Sequence, residues 1–114
     1  MPKFMLLLTG GDYESLSSAE MEAAYSKFRD WFVQLSEQKL LVDSAQLAPG
    51  RTIVKPGNPP IVTDGPFAES KEVVGGYFTV TAQDQAEAAK IAKGCPALLY
   101  GGAVEVRPIM ERGG

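Results

Sequence analysis

The chain has 114 residues, 45% hydrophobic and 22% charged, which is the size and composition of one folded domain rather than of a disordered or fibrous chain. Its 11 Lys and Arg against 14 Asp and Glu leave a net charge of −3, which argues against a surface built to hold nucleic-acid phosphates. One Cys and no His exclude an internal disulfide, a paired-cysteine zinc site, histidine metal ligation, His-dependent catalytic triads and the usual near-neutral general base.

Phe4 to Thr9 is short, apolar and closed by Gly10-Gly11, which predicts a strand. This opening run is too short for a signal peptide, and no run approaches the roughly 20 apolar residues that span a bilayer. The expectation is a cytoplasmic protein with no membrane partner, and the lone Cys95 fits a reducing compartment. Met21, Ala24, Tyr25, Phe28, Trp31, Phe32 and Leu35 recur every three or four residues and predict a helix from Ser18 to Gln38. Ser17 with Glu20 three residues on is a capping-box start. Leu40 to Leu47 reads as a strand. Arg51 to Lys55 and Ile61 to Thr63 flank Pro56-Gly57-Asn58-Pro59-Pro60 as a hairpin arm with a stiff tip. Tyr77 to Thr81 is rich in β-formers, and Gly75-Gly76 before it suits a bulge or a close backbone approach. Asp84 and Glu87 cap a second helix whose expected apolar face is Ala86, Ala89 and Ile91, stopped by Gly94 and Pro96. Val104 to Ile109 alternates as a last half-buried strand.

Strand, helix, strands, helix, strand is the split βαβ pattern of the ferredoxin-like α+β class, with an antiparallel sheet. Phe4, Leu6 and Leu8 face one way, Met5 and Leu7 the other. Two helices can cover only one face of a sheet. The remaining apolar face is expected to meet a second copy of the chain, unless a loop covers it.

Val62-Thr63-Asp64-Gly65-Pro66-Phe67-Ala68-Glu69-Ser70-Lys71-Glu72 is the most informative stretch. Pro66 suits the first position of a turn, and Asp64 can accept hydrogen bonds from amides downstream. Phe67 plugs a core gap or lines a pocket; as a whole the segment reads equally as a rigid connector and as a pocket loop. Asp64 and Glu69 supply carboxylates, Lys71 and Arg107 cations. Period two puts Arg107 and Glu105 on one face, where Arg107 is an anion clamp or half of a structural ion pair. Tyr77 is a core residue with a satisfied hydroxyl or a ligand-stacking ring. Asp12 and Tyr13, at the carboxyl end of the first strand, are a cleft rim or a solvated loop. Tyr25, Phe28, Trp31 and Phe32 are core or dimer contacts first and pocket lining second. Cys95, without an activating neighbour, is structural. Glu14, Glu20, Glu22, Asp30 and Glu37 form a solvated face without metal-ligand spacing.

The run from Val62 to Glu69, Lys71-Glu72, Gly75-Gly76-Tyr77 and Val104-Glu105-Val106-Arg107-Pro108-Ile109, in this order, resemble the DGPF group of the YCII-related family over essentially the whole chain. The resemblance implies a single domain over residues 1–114, with a ferredoxin-like fold paired into a dimeric α+β barrel. It also implies a small-molecule cleft between sheet and helices and no settled reaction, cofactor or metal. Some members of the wider family resemble enzymes that act on small aromatic or lactone substrates and carry a His-Asp pair; without His that pair cannot be carried over. Some DGPF-type members occur in genomic company with extracytoplasmic-function sigma factors. Three expectations follow. The first is a small-ligand-binding or regulatory homodimer using Asp64, Phe67, Lys71, Tyr77 and Arg107. The second is an enzyme on a small aromatic or lactone-like substrate with Asp64 or Glu69 as base. The third is a protein-interaction module linked to sigma-factor regulation.

Overall fold

In the computed structural model, which describes residues 1–48, 50–64 and 73–111, the patterned segments become β1 (Lys3–Gly10), α1 (Ser18–Glu37), β2 (Leu41–Gln46), β3 (Thr52–Lys55), β4 (Ile61–Asp64), β5 (Val74–Thr81), α2 (Gln85–Ala92) and β6 (Gly102–Pro108). A 3₁₀ turn, Pro96–Tyr100, leads into β6. Four strands form an antiparallel sheet in the order β2-β5-β1-β6. With α1 and α2 on one face, this is the ferredoxin-like α+β arrangement expected from the element order. β3 and β4 pair only with each other. They are a hairpin inserted between the second and third strands of that pattern, as the turn-rich tip predicts.

Both helices start on the side chains that the sequence marks. The Glu20 amide donates to Ser17 Oγ at 3.2 Å, and the Ser17 amide donates to Glu20 Oε1 at 3.1 Å. This satisfies two amides that the helix itself cannot pair, and such a cap is worth about 1 kcal/mol. The Ser17 amide and hydroxyl hold the Glu20 carboxyl below its ordinary range. At α2 the Glu87 amide donates to Asp84 Oδ1 at 2.8 Å.

The strand alternation is as expected. Leu6 lies between Phe78 and Val106, and Phe4 opposite Val80, all on the helix side. Leu7 lies between Tyr77 and Glu105, and Met5 between Thr79 and Arg107, on the other side. Leu6 and Val80 are fully buried and, with Phe4, Trp31, Leu35 and Phe78, form the centre of the core. The apolar stripe of α1 divides. Ala24, Trp31 and Leu35 are buried, whereas Tyr25 and Phe32 are exposed and Phe28 only partly covered. On α2 the buried face is Ala88 and Ala92 with Ile91 beside them, while the expected Ala86 is exposed. Positions 88 and 92, one turn apart, share the side that lies on β1 and β6, and their small side chains let a short helix sit close to the sheet.

The domain is a plate of 48 × 47 × 18 Å with a radius of gyration of 16.1 Å, against about 13 Å for a compact chain of this length. The hairpin accounts for the excess: it packs extensively against no other described element, and Val54 and Val62, paired across it, are 64% and 63% exposed. No helix among the described residues is long and apolar enough to cross a membrane.

Leu6→Ala removes a fully buried side chain from the middle strand of the core. It is expected to lower unfolding free energy by about 3–5 kcal/mol, read as a shifted urea midpoint with unchanged slope. A loss below about 1 kcal/mol would contradict this placement of the core.

Candidate functional site: a cleft between the long helix and the sheet

Trp31 packs on Phe78 with ring centroids 4.6 Å apart and planes at 59°, seating the middle of α1 on β5. Towards the amino end of α1 no second aromatic ring rises from the sheet. The helix-side positions there are Leu8 on β1, Ser44 and Gln46 on the edge strand β2, and Gly76 on β5, paired with both Leu8 and Gln46. The space left open is a cleft of about 380 Å³, within the usual range for small-molecule sites.

One wall is α1, through Met21, Tyr25, Phe28 and Phe32, with Arg29 beside them. The floor is the end of β1 with Ser44, Gln46 and Gly76. β5 carries an irregularity here: Leu8 pairs with Gly76 but Thr9 with Val74, leaving Gly75 extra. This is the bulge that the Gly-Gly pair predicts. Gly76 also answers to a close approach, since a Cβ there would come 3.0 Å from the Ala45 carbonyl oxygen.

Tyr13 closes the cleft at the end of β1. Its ring folds back over Gly11, whose φ of +100° favours glycine and where a Cβ would lie 2.5 Å from Tyr13 Cε2. The ring also lies 5.4 Å from that of Tyr100, and the Asp12 amide donates to the Tyr100 carbonyl at 2.8 Å. Lys27 Nζ stands 5.6 Å from the centre of the Tyr100 ring. Burial, with Cys95 and Tyr100 nearby, pushes the Tyr13 phenol above its ordinary value, so it remains a neutral O–H group at physiological pH. Tyr13 thus fills the rim role; Asp12 instead accepts from Ser15 Oγ at 3.1 Å.

The other residues singled out from sequence do not converge on this cleft. Phe67, Glu69 and Lys71 lie outside the described residues. Asp64 sits exposed at the end of β4, opposite Thr52 on the hairpin. Tyr77 is on the sheet face away from the helices, where its hydroxyl donates to Asp43 Oδ2 at 3.1 Å. That bond pushes its phenol above the ordinary value. Arg107 shares this outer face and meets Glu105 at 3.5 Å, the side chains 66% and 57% exposed. Such a pair contributes little to stability. Neither Asp64, Tyr77 nor Arg107 lines the cleft. Arg29, Ser44 and Gln46, which do, carry no motif. The sequence signals for the cleft are Tyr13 after β1 and the width of the α1 stripe, broader than a single packed seam needs.

Among the described residues no His, Cys, Asp and Glu group is arranged to hold a metal ion. Cys95 is buried, and burial pushes its thiol up to about 11, which fits a packing role rather than a nucleophile.

The YCII-related domain model matches residues 3–112. The chain belongs to the YCII-related family. No curated protein matches the chain closely enough to lend it a role. Within this YCII-related domain the Gly-Gly-Tyr element thus supplies a bulge and a cleft floor, and the Val-Glu-Val-Arg-Pro element the outer edge strand.

The Cys95 thiol ionises later in the folded state than its ordinary value of 9.0. Between pH 9 and pH 11 the unfolded chain therefore binds fewer protons, and stability present below about pH 9 is lost as pH rises. The wild type should lose up to about 1.4 kcal/mol more per pH unit in that window than Cys95→Ala, as measured by denaturant titrations of both. Parallel curves would contradict the burial of the thiol.

Proposed function

We propose that the protein is a homodimeric small-ligand-binding or regulatory protein. The observation that carries the reading is the cleft itself: apolar and aromatic walls, a few polar groups, and no carboxylate among its described lining residues. Sites that hold small organic molecules have this make-up. A carboxylate-base enzyme would need Asp64 or Glu69 at the substrate. Asp64 is on the exposed hairpin and does not line this cleft.

Support for the dimer comes from the sheet. Its outer face carries Met5 and Leu7 on β1, each partly exposed, beside Tyr77 and the already buried Thr79 on β5. A two-fold dimer through this face would bury what remains exposed of Met5 and Leu7. It would leave the cleft open on the opposite side. The exposed apolar residues of the hairpin add surface that a partner protomer would cover. A role as a protein-interaction module is favoured by a separate feature: Leu98 and Leu99, 45% and 68% exposed at the 3₁₀ turn, form an apolar spot beside α1, outside the cleft.

Native mass spectrometry of gently purified protein is expected to give a dimer carrying a small organic mass that is lost on denaturation. Leu7→Asp should give a monomer, because the charge would be buried unpaired in the interface. A wild-type chain that is monomeric at micromolar concentration would overturn the dimer. A melting temperature shifted by none of a broad panel of small organic molecules would overturn the ligand reading.

A further inference from the structure

The cleft has a charge asymmetry that runs against the chain as a whole. Acidic residues outnumber basic ones in the sequence, 14 to 11, yet among the described lining residues the one charged side chain is the cation Arg29. Its guanidinium has no carboxylate within ion-pair distance. Lys27, next to Phe28 in sequence but not among the lining residues, is directed instead at the Tyr100 ring. Tyr13 and Ser44 also line the cleft, and among the described residues their hydroxyls are used by no protein hydrogen bond. The remaining wall is flat and apolar, built from Tyr25, Phe28 and Phe32.

We infer that the cleft takes a small aromatic carboxylate, of one ring or two fused rings, with Arg29 reading its charge and the α1 aromatics covering its ring. This rests on the reading of the cleft as a ligand site. The alternatives fit less well. An amine ligand would find no countercharge among the described lining residues. A sugar would leave most of its hydroxyls against apolar walls, which is costly. A phosphate dianion would meet one guanidinium, where such sites usually gather several donors. A carboxylate matches a single guanidinium in charge and geometry, and a flat ring stacks favourably on aromatic walls. A cavity of about 380 Å³ accommodates a fused two-ring acid with room for the water around Arg29.

The test compares 1-naphthoate with its neutral isostere 1-naphthamide, by titration of protein labelled at the methionine methyl groups. Met21 lies in the cleft wall, whereas Met5 faces the other side of the sheet and Met110 is 87% exposed beyond β6, so their methyl signals act as internal controls. The expected result is a Met21 shift with both probes and about tenfold tighter binding of the carboxylate, the discrimination of one charge-assisted pair. Arg29→Gln, an exposed helical substitution, should abolish that preference. Arg107→Gln should change neither. Added salt should weaken naphthoate binding and leave naphthamide alone. Equal or tighter binding of naphthamide at Met21, or an undiminished preference in Arg29→Gln, would overturn the inference and leave the cleft as a site for neutral ligands. Failure of both probes to move Met21 at millimolar concentration would overturn the cleft as an aromatic-ligand site, and the inference with it.

Discussion

The contact of Trp31 with Phe78 sets the height at which the long helix rides over the sheet. The two rings meet at 4.6 Å, tilted by 59°, a geometry that adds about 0.5–1.5 kcal/mol to the burial of either ring. Towards the carboxyl end Leu35 follows Trp31 into the core. Towards the amino end the helix keeps its height, while the sheet beneath changes from Phe78 and Leu6 to Gly76, Ser44 and Gln46. A stiff helix cannot bend down to meet small residues over two turns. The gap is therefore a consequence of one large side chain followed by several small ones, and the aromatic residues left over the gap become its wall.

The same strands serve two surfaces. Along β1 and β5 successive residues alternate between the helix side and the outer side, so Phe78 faces the cleft while Tyr77 and Thr79 face away. The outer face mixes a short apolar strip, Met5 and Leu7, with the Tyr77–Asp43 hydrogen bond and the Arg107–Glu105 pair. That mixture of an apolar centre and a polar surround is compatible with the proposed contact between protomers. Ligand and partner protomer are thereby kept on opposite sides of one sheet in the proposed assembly.

Most of the fold was legible in the sequence because its signals are local. Ser17 and Glu20 mark a helix start by spacing alone; Phe4, Leu6 and Leu8 mark a buried strand face by period two; the paired glycines at 75 and 76 mark a bulge. The cleft was only half legible. Tyr13 and the α1 aromatics were recognisable as candidate lining, but the Asp-Gly-Pro-Phe stretch drew attention to the hairpin and its following connection. Arg29 was invisible because one arginine on a charged helix has no spacing to distinguish it; only the height of the helix, set by a residue two positions on, places it at a cavity. Ser44 marks the site by lacking bulk and Gln46 by being polar, and either feature on an edge strand reads in sequence as ordinary solvent exposure. The division of α2 into a buried Ala88–Ala92 side and an exposed Ala86 was equally hidden, since alanine is compatible with either environment.

Crystals soaked with 4-bromobenzoate and recorded at the bromine absorption edge test the central claim most directly. The account predicts one anomalous peak between Phe28 on α1 and Phe78 on β5, with density for the carboxylate directed towards Arg29. A fully occupied peak elsewhere on the molecule, with the space over Ser44 and Gly76 filled by the protein's own chain, would contradict it.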